Sequence, residues 1–246
     1  MTDTTPASVA RLQELIDASS NIVFFGGAGV STESGIPDFR STDGLYNQAY
    51  DYPPEMILSR SFFESEPFEF YRFYRDRVLF PAAQPNAAHL KLAELEAAGK
   101  LKAVVTQNID GLHQAAGSKT VWELHGSVLR NRCTHCGKAF DLQYIIDADQ
   151  VPLCDACGKL VEPDVVLYED PLNDGIIAGA VDAIRAADML IIGGTSLVVY
   201  PAAGLVNYFH GAHLAVINLD GAGGSMHNAL VIREPIGAVL SQIKAH

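Results

Sequence analysis

Residues 22–40 constrain this chain more than any other stretch. Ile22, Val23, Phe24 and Phe25 run directly into Gly26, Gly27, Ala28 and Gly29, and then into Ser31, Thr32, Glu33, Ser34 and Gly35. The order predicts a buried strand that breaks into a glycine-rich turn. Glycine there admits unusual φ and lets an anion approach bare backbone N–H groups, with a helix N-terminus behind supplying further donors. These pieces suit a dinucleotide but depart from the ordinary dehydrogenase fingerprint. Thr32 stands where its third small residue belongs, and the acid expected about twenty residues on is missing, since Asp51 lies in Tyr50-Asp51-Tyr52-Pro53-Pro54. On the glycines alone, a plain tight turn before a helix is an equal reading. Gly35-Ile36-Pro37-Asp38-Phe39-Arg40 shifts the balance by setting an acid, an aromatic and a guanidinium beside a proline-stiffened turn.

A chain of 246 residues, 48% of them apolar, can build one large α/β domain or a core domain carrying insertions. Its apolar runs fall short of the roughly 18–20 residues of a membrane helix, and residues 1–8 are polar without a signal-peptide pattern. The expectation is a cytoplasmic protein with no membrane partner. Seventeen basic against twenty-nine acidic residues give a net charge of −12, which opposes direct nucleic-acid binding and favours a basic partner or substrate.

The rest reads as α/β units with two interruptions. Val9, Leu12, Leu15 and Ile16 share a helical face, predicting an amphipathic helix over 8–19. Residues 41–51 are irregular, and Gly44-Leu45-Tyr46 reads as a mobile loop. Residues 54–80 predict two or three short helices carrying Phe62, Phe63, Phe68, Phe70, Tyr71, Phe73 and Tyr74, an aromatic run that suits a core better than a site. Together, 41–84 form an insertion capping the glycine turn. Pro85-Asn86 opens the next helix and Gly99 closes it. Strands are predicted at 101–106, 121–124, 165–167, 189–192, 214–217 and 230–232, and helices at 174–187, 201–210 and 235–244. This cadence is that of a doubly wound parallel sheet.

In an open parallel sheet, ligands bind beyond the carboxyl ends of the strands. Gln107, Asn108, Ile109 and Asp110 follow the second strand, Gly194, Thr195 and Ser196 a later one, and Asn218 the next. Helix capping accounts for Asp110 alone but not for Gln107, Asn108 and Asp110 together. His125 ends the strand at 121–124 on the same edge, whereas His89, His113, His210 and His213 read as structural. All four cysteines form two pairs, Cys133-Thr134-His135-Cys136 and Cys154-Asp155-Ala156-Cys157, with seventeen residues between. Such pairs fit four thiolates around one tetrahedral zinc. Disulfides are the alternative, and a reducing cytosol argues against them. Four protein ligands leave no open position, so this zinc is expected to be structural.

Gly27-Ala28-Gly29-Val30-Ser31 with Gly35-Ile36-Pro37-Asp38-Phe39-Arg40, then Thr106-Gln107-Asn108-Ile109-Asp110-Gly111-Leu112-His113, Glu123-Leu124-His125-Gly126, the paired cysteines and Gly194-Thr195-Ser196-Leu197 resemble the sirtuins. These are NAD-dependent protein-lysine deacylases, and within them the chain looks most like the bacterial deacetylase branch. The resemblance runs in order from about residue 9 to 240. It implies an α/β, Rossmann-like NAD-binding large domain from 1–40, 85–126 and 163–246. A small domain would combine the cofactor loop and helical insertion of 41–84 with the zinc ribbon of 127–162. It implies that Ala28, Thr32, Phe39, Arg40, Gln107, Asn108, Thr195, Ser196, Asn218 and Ile236 contact NAD. Ile109 and Asp110 would line the nicotinamide pocket, and His125 would be the proton acceptor. Segments 165–168 and 197–200 would flank an acetyl-lysine peptide that pairs between them as a strand. One departure falls there: many relatives read Phe-Gly-Glu where this chain has Tyr168-Glu169-Asp170.

The implied reaction consumes NAD as a reactant. An amide oxygen attacks the anomeric carbon of the nicotinamide ribose as nicotinamide leaves, and a base of near-neutral pKa, which a histidine supplies, then activates a ribose hydroxyl. Phe39 would shield this centre from water, and the products would be free lysine, nicotinamide and O-acetyl-ADP-ribose. A mono-ADP-ribosyltransferase could use the same pocket. A non-enzymatic NAD sensor or zinc-ribbon adaptor is a third class, against which the joint presence of His125, Asn108 and Asp110 argues. In relatives that remove succinyl or malonyl groups, a tyrosine is followed three residues later by an arginine. Here Tyr71 is followed at that spacing by Tyr74, and Arg75 comes one residue later, about 100° further around a helix. A neutral acyl group such as acetyl is therefore expected.

Overall fold

The structure, a computed structural model, describes residues 7–38, 52–219 and 228–246. Phe39, Arg40 and the loop at 41–51 lie outside the described residues. In chain order the strands are β1 (Ile22–Gly26), β2 (Leu101–Thr106), β3 (Val121–Glu123), β4 (Gly126–Cys133), β5 (Ala139–Asp141), β6 (Val161–Val165), β7 (Met189–Gly193), β8 (His213–Ile217) and β9 (Leu230–Ile232). The helices are α1 (Ala7–Ala18), α2 (Pro54–Ile57), α3 (Arg60–Ser65), α4 (Pro67–Phe73), α5 (Ala87–Ala97), α6 (Leu112–Ala116), α7 (Leu142–Asp147), α8 (Asp174–Ala186) and α9 (Ile236–Leu240).

Strand β1 is apolar along its whole length because both of its faces are covered. Ile22 and Phe24 pack against α1, α5 and α9 through Leu12, Ile16, Leu92 and Val239. Val23 and Phe25 pack on the other face with Ala180 and Ile184 of α8 and Leu205 of a 3-10 helix. Burial on both sides is what a parallel sheet imposes. The sheet runs β3-β2-β1-β7-β8-β9, every pair parallel, so by chain position within the sheet its order is 3-2-1-4-5-6. The strand order reverses between β1 and β7, and the crevice at that point is where such a sheet binds its ligand.

The second sheet, β5-β4-β6, is antiparallel and carries the cysteines. It corrects the strand expected at 165–167. The strand is Val161–Val165, and it pairs with β4 instead of joining the parallel sheet. Glu162, Pro163 and Asp164 interrupt its apolar run, so only the partner strand reveals it. Two other expectations shift: 201–210 forms a 3-10 helix over Ala202–Tyr208, and the last helix ends at Leu240.

The aromatic run is core. Phe63, Phe70, Tyr71, Phe73 and Tyr74 are buried with Val128, Ile145 and Leu167, so helical insertion and ribbon share one apolar centre. Phe68 is the exception and is exposed. Edge-to-face contacts at 4.9 Å (Phe63 with Phe70) and 5.2 Å (Phe70 with Tyr71) order the cluster. The Tyr71 hydroxyl donates to the Val161 carbonyl of β6. Past α4 the chain takes one π-helical turn, Tyr74–Val78.

Asn86 caps α5 as Pro85-Asn86 predicts, its Oδ1 accepting from the Ala88 N–H at 2.9 Å. Its Nδ2 donates to the Val30 carbonyl at 2.8 Å and to Ser34 Oγ at 2.9 Å, tying the helix to the glycine-rich turn. Behind that turn the buried rings of His89 and His113 lie 4.7 Å apart. Neither nitrogen of His113 has a hydrogen-bond partner among the described residues. Burial lowers His89 from 6.5 to about 4, against the pull of Asp110. Burial, helped by the neighbouring His89, lowers His113 to about 3.

An unfolded chain takes up these two protons near pH 6.5 and the folded chain does not. The stability these neutral rings permit is therefore complete above 6.5 and falls below it by about 1.4 kcal/mol per pH unit for each ring. The melting temperature should drop between pH 6.5 and 5, before most carboxylates titrate. His113→Leu should flatten that slope in a thermal scan, and an unchanged slope would contradict the assignment.

Candidate active site

Glycines bring the ends of β1 and β7 into backbone contact. The Gly29 N–H donates to the Gly194 carbonyl at 2.8 Å and the Gly27 N–H to the Gly193 carbonyl at 3.3 Å. A Cβ on Gly29 would lie 2.8 Å from Gly194 Cα, and Gly194 itself has φ +58. Only side-chain-free residues allow this approach. The result is a cleft of about 580 Å³ lined by Gly27, Ala28, Gly29, Gln107, Asn108, Ile109, Asp110, His125, Thr195, Ser196 and Asn218 among others. A bare backbone wall beside polar side chains is suited to an anionic, hydroxyl-rich ligand.

Ser31 is the centre of a polar chain across the cleft. Its Oγ donates to Asp110 Oδ2 at 2.6 Å and accepts from Asn108 Nδ2 at 3.0 Å. Asp110 Oδ1 accepts from the Leu112 N–H at 2.8 Å. On the opposite wall Gln107 Nε2 donates to Thr195 Oγ1 at 3.0 Å, and Asn218 Nδ2 donates to the Thr195 carbonyl at 3.0 Å. His125 is 2.9 Å through Nδ1 from the Gln107 carbonyl. A carbonyl can only accept, so neutral His125 carries its proton on Nδ1 and keeps the lone pair of Nε2. Burial lowers its pKa below 6.5 despite that hydrogen bond, so the neutral base predominates at pH 7.

Two residues expected to touch the cofactor stand outside the cleft wall. Thr32 donates through Oγ1 to the Gly29 carbonyl at 3.0 Å. Ile236 is buried behind β7, where a Cβ on Gly193 would come within 2.3 Å of its Cδ1. Phe39 and Arg40 are not among the described residues. Sequence reasoning gave no role to Ser31, although it stands in the glycine motif, because its partners Asn108 and Asp110 are 77 and 79 residues away. Glu33 was missed for the same reason: its Oε2 accepts from the Gly237 N–H at 2.6 Å and pins α9 to the turn.

The rim of the cleft at 166–170 is clamped to the helical insertion. Tyr168 N–H donates to the Leu58 carbonyl at 2.9 Å, and Arg60 N–H to the Tyr168 carbonyl at 3.0 Å. The Arg60 guanidinium grips Asp170 with two hydrogen bonds, 2.9 and 2.8 Å, and reaches Glu162 at 2.9 Å. Against the cost of burial, the Arg60 guanidinium and the Leu167 backbone N–H, which donates to Asp170 Oδ2 at 3.1 Å, hold Asp170 below the usual carboxylate range. Glu169 has φ +79. That conformation costs a side-chain-bearing residue about 1–2 kcal/mol. Hydrogen bonds to its carboxylate from the Ser61 N–H at 2.9 Å and Ser61 Oγ at 3.0 Å offset the strain.

The four sulfurs of Cys133, Cys136, Cys154 and Cys157 lie within 4.8 Å of one another, with pairs at 3.4 and 3.6 Å. Sulfurs around a tetrahedral zinc, each about 2.3 Å from it, are about 3.8 Å apart. The donor set therefore fits zinc. Two N–H groups, of His135 and Cys136, donate to Cys133 Sγ at 3.4 Å and support a thiolate there.

A doubly wound sheet with a polar cleft at its switch point is the architecture of a dinucleotide-binding protein. The Sir2 family pattern matches residues 27–201. A relative named NAD-dependent protein deacetylase, from Clostridium perfringens (strain 13 / Type A), is 57% identical over 238 residues, 96% of this chain and 98% of its own. A solved Sir2 homologue in complex with NAD has a TM-score of 0.84 at 38% identity, over 95% of this chain and 91% of its own. A Sir2 structure with a deacetylated p53 peptide and 3'-O-acetyl-ADP-ribose has a TM-score of 0.84 at 37% identity, over 94% of this chain and 95% of its own. The chain belongs to the Sir2 family.

The ribbon's sulfurs yield a test. Removing zinc with a strong chelator, or replacing Cys154 by Ser, should lower the melting temperature and unfold the ribbon, because a structural site contributes its binding energy to folding. Metal analysis should return about one zinc per chain in the parent protein. A metal-free parent with a normal melt would exclude the site.

Proposed function

We propose that this chain is an NAD-dependent protein-lysine deacetylase releasing free lysine, nicotinamide and O-acetyl-ADP-ribose. The observation that carries the reading is a neutral His125 facing the same cleft as the glycine wall and the chain from Asn108 through Ser31 to Asp110. NAD supplies an electrophilic anomeric carbon that an acyl amide oxygen can attack as nicotinamide departs. The protein's part is to bind, orient and move one proton.

Ala28 and the glycine wall would take the phosphates, and Gln107, Thr195, Ser196 and Asn218 the ribose hydroxyls, with Gln107, Thr195 and Asn218 fixed by one another. Thr32, Ile236, Phe39 and Arg40 would complete the cofactor set from beside that wall. Ile109 and Asp110, with Asn108 oriented through Ser31, would hold the carboxamide of nicotinamide. His125 Nε2 would accept the proton of the ribose hydroxyl. We assign residues 1–40, 85–126 and 163–246 to the large domain and 41–84 with 127–162 to the small one, a division supported by the core shared between insertion and ribbon. The acyl-lysine protein or peptide would enter beside 165–168 and 197–200. We place the reaction in the cytoplasm, where four thiolates stay reduced, without nucleic acid or membrane as a partner. Among the described residues no helix is long and apolar enough to cross a membrane.

Mass spectrometry of an acetylated peptide incubated with NAD and the purified chain should show loss of the acetyl group and formation of O-acetyl-ADP-ribose. A gain of ADP-ribose on a protein target instead would favour the transferase reading. His125→Ala should lower kcat/KM at least about a hundredfold with NAD binding retained. In the parent, activity needs neutral His125 and is lost as pH falls through its folded pKa, so the acid limb of kcat/KM should have its midpoint below 6.5. A midpoint above 7 would exclude His125 as the base.

Acyl preference follows from where the arginines point. Tyr71 is buried and bonded to Val161, and Tyr74 occupies the wall position three residues on. Arg75 belongs to the π-helical turn, so the α-helical spacing does not apply, yet it is turned away. Its Nε donates to the Ile145 carbonyl at 2.8 Å and its Nη2 to the Gln150 carbonyl. Arg77, on the cleft wall, pairs with Asp76 at 2.7 Å. A carboxylate buried without its own cation is costly. Acetyl-lysine should therefore exceed succinyl-lysine at least about tenfold in kcat/KM on one peptide. Equal rates would show that Arg77 leaves Asp76 for the substrate.

A further inference from the structure

Among the described residues, Glu169 is the carboxylate-bearing residue of the cleft rim that holds a left-handed backbone conformation. Its backbone takes φ +79, which a glycine would adopt without strain, so what the glutamate adds is its carboxylate. Ser61 fixes that carboxylate through a neutral N–H and a neutral hydroxyl. Asp170 beside it is neutralised by Arg60, but Glu169 has no cationic partner among the described residues. It is exposed and lines the cleft together with exposed Tyr168 and with exposed Tyr200 of the other flank. The net charge of −12 adds to the negative potential at this mouth.

From this geometry we infer that Glu169 selects acyl-lysine peptides carrying a Lys or Arg close to the modified residue. The inference rests on the deacetylase reading and adds to it a class of substrate. The acidic chain would gain encounter rate and a rim ion pair from a basic flank, and would lose both with an acidic one. Clamping by Ser61 means the charge is already positioned before the peptide arrives, so little side-chain freedom is lost when the pair forms.

The test uses the purified full chain with saturating NAD and three acetyl-lysine peptides that differ only in the two residues on either side of it: lysines, alanines or glutamates. At low salt kcat/KM should fall in the order lysine, alanine, glutamate, by about two- to fivefold for each exposed charge pair. The difference should sit in KM and shrink at 0.5 M salt, as screening requires. Glu169→Gln keeps an oxygen to accept from Ser61 and removes the charge, so the three peptides should converge. No ordering in the parent, or an ordering that Glu169→Gln leaves intact, overturns the inference while leaving deacetylation standing. Failure to turn over any acetylated peptide overturns the deacetylase reading, and this selection with it.

Discussion

The cleft depends on the close approach of two loop backbones at the point where the strand order of the sheet reverses. β1 and β7 are paired in register down to Gly26 and Gly193, so the residues that follow must either splay apart or touch. They touch, through the Gly29 N–H and the Gly194 carbonyl, at a distance that leaves no room for a side chain on either partner. This contact fixes where Ser31 begins, and Ser31 in turn fixes Asn108 and Asp110 from the neighbouring strand. A single added methyl at Gly29 would therefore be felt beyond the adjacent strand β2, in groups with no steric contact to it.

The polar side chains of the cleft are held by the protein itself. Each of Gln107, Asn108, Asp110, Thr195 and Asn218 already has a hydrogen-bond partner inside the protein. Groups held in this way need not reorganise during a reaction, which is where an enclosed site gains most over water. His125 follows the same rule, because the Gln107 carbonyl selects its tautomer and burial keeps it neutral. Glu33 and Asn86 extend the arrangement outward, holding the turn to α9 and α5 by hydrogen bonds in addition to the packing of Val30.

The parallel sheet was legible in the sequence because its strands are short apolar runs ending in glycine, hydroxyl or amide residues. The ends of β1, β2, β7 and β8 carry the candidate residues where this pattern places them. The ribbon was legible as a metal site but not as a sheet, since spacing identifies Cys133, Cys136, Cys154 and Cys157 while β4 and β6 are polar strands defined only by each other. The π-helical turn at Tyr74–Val78 carries no local signal and upsets any argument from α-helical spacing. Roles set by distant partners were equally hidden. The positive φ of Glu169 makes sense only once Ser61, 108 residues earlier, is seen beside it.

The insertion and the ribbon reach the cleft through a few cross-links. Tyr71 ties α4 to β6, and Arg60 ties α3 to both Glu162 of β6 and Asp170 of the rim. The rim's own backbone pairs with Leu58 and Arg60. A zinc that holds the ribbon together therefore also bears on the rim, although the cysteines take no part in lining the cleft. The path runs from Cys133 at the end of β4, across the β4 and β6 ladder to Glu162, and through one guanidinium to Asp170. Its narrowest step is Arg60, a single partly buried guanidinium joining both sides, so disturbance of the metal site would reach the peptide rim through that one side chain, whereas the glycine wall and His125, carried by the parallel sheet, would be largely spared.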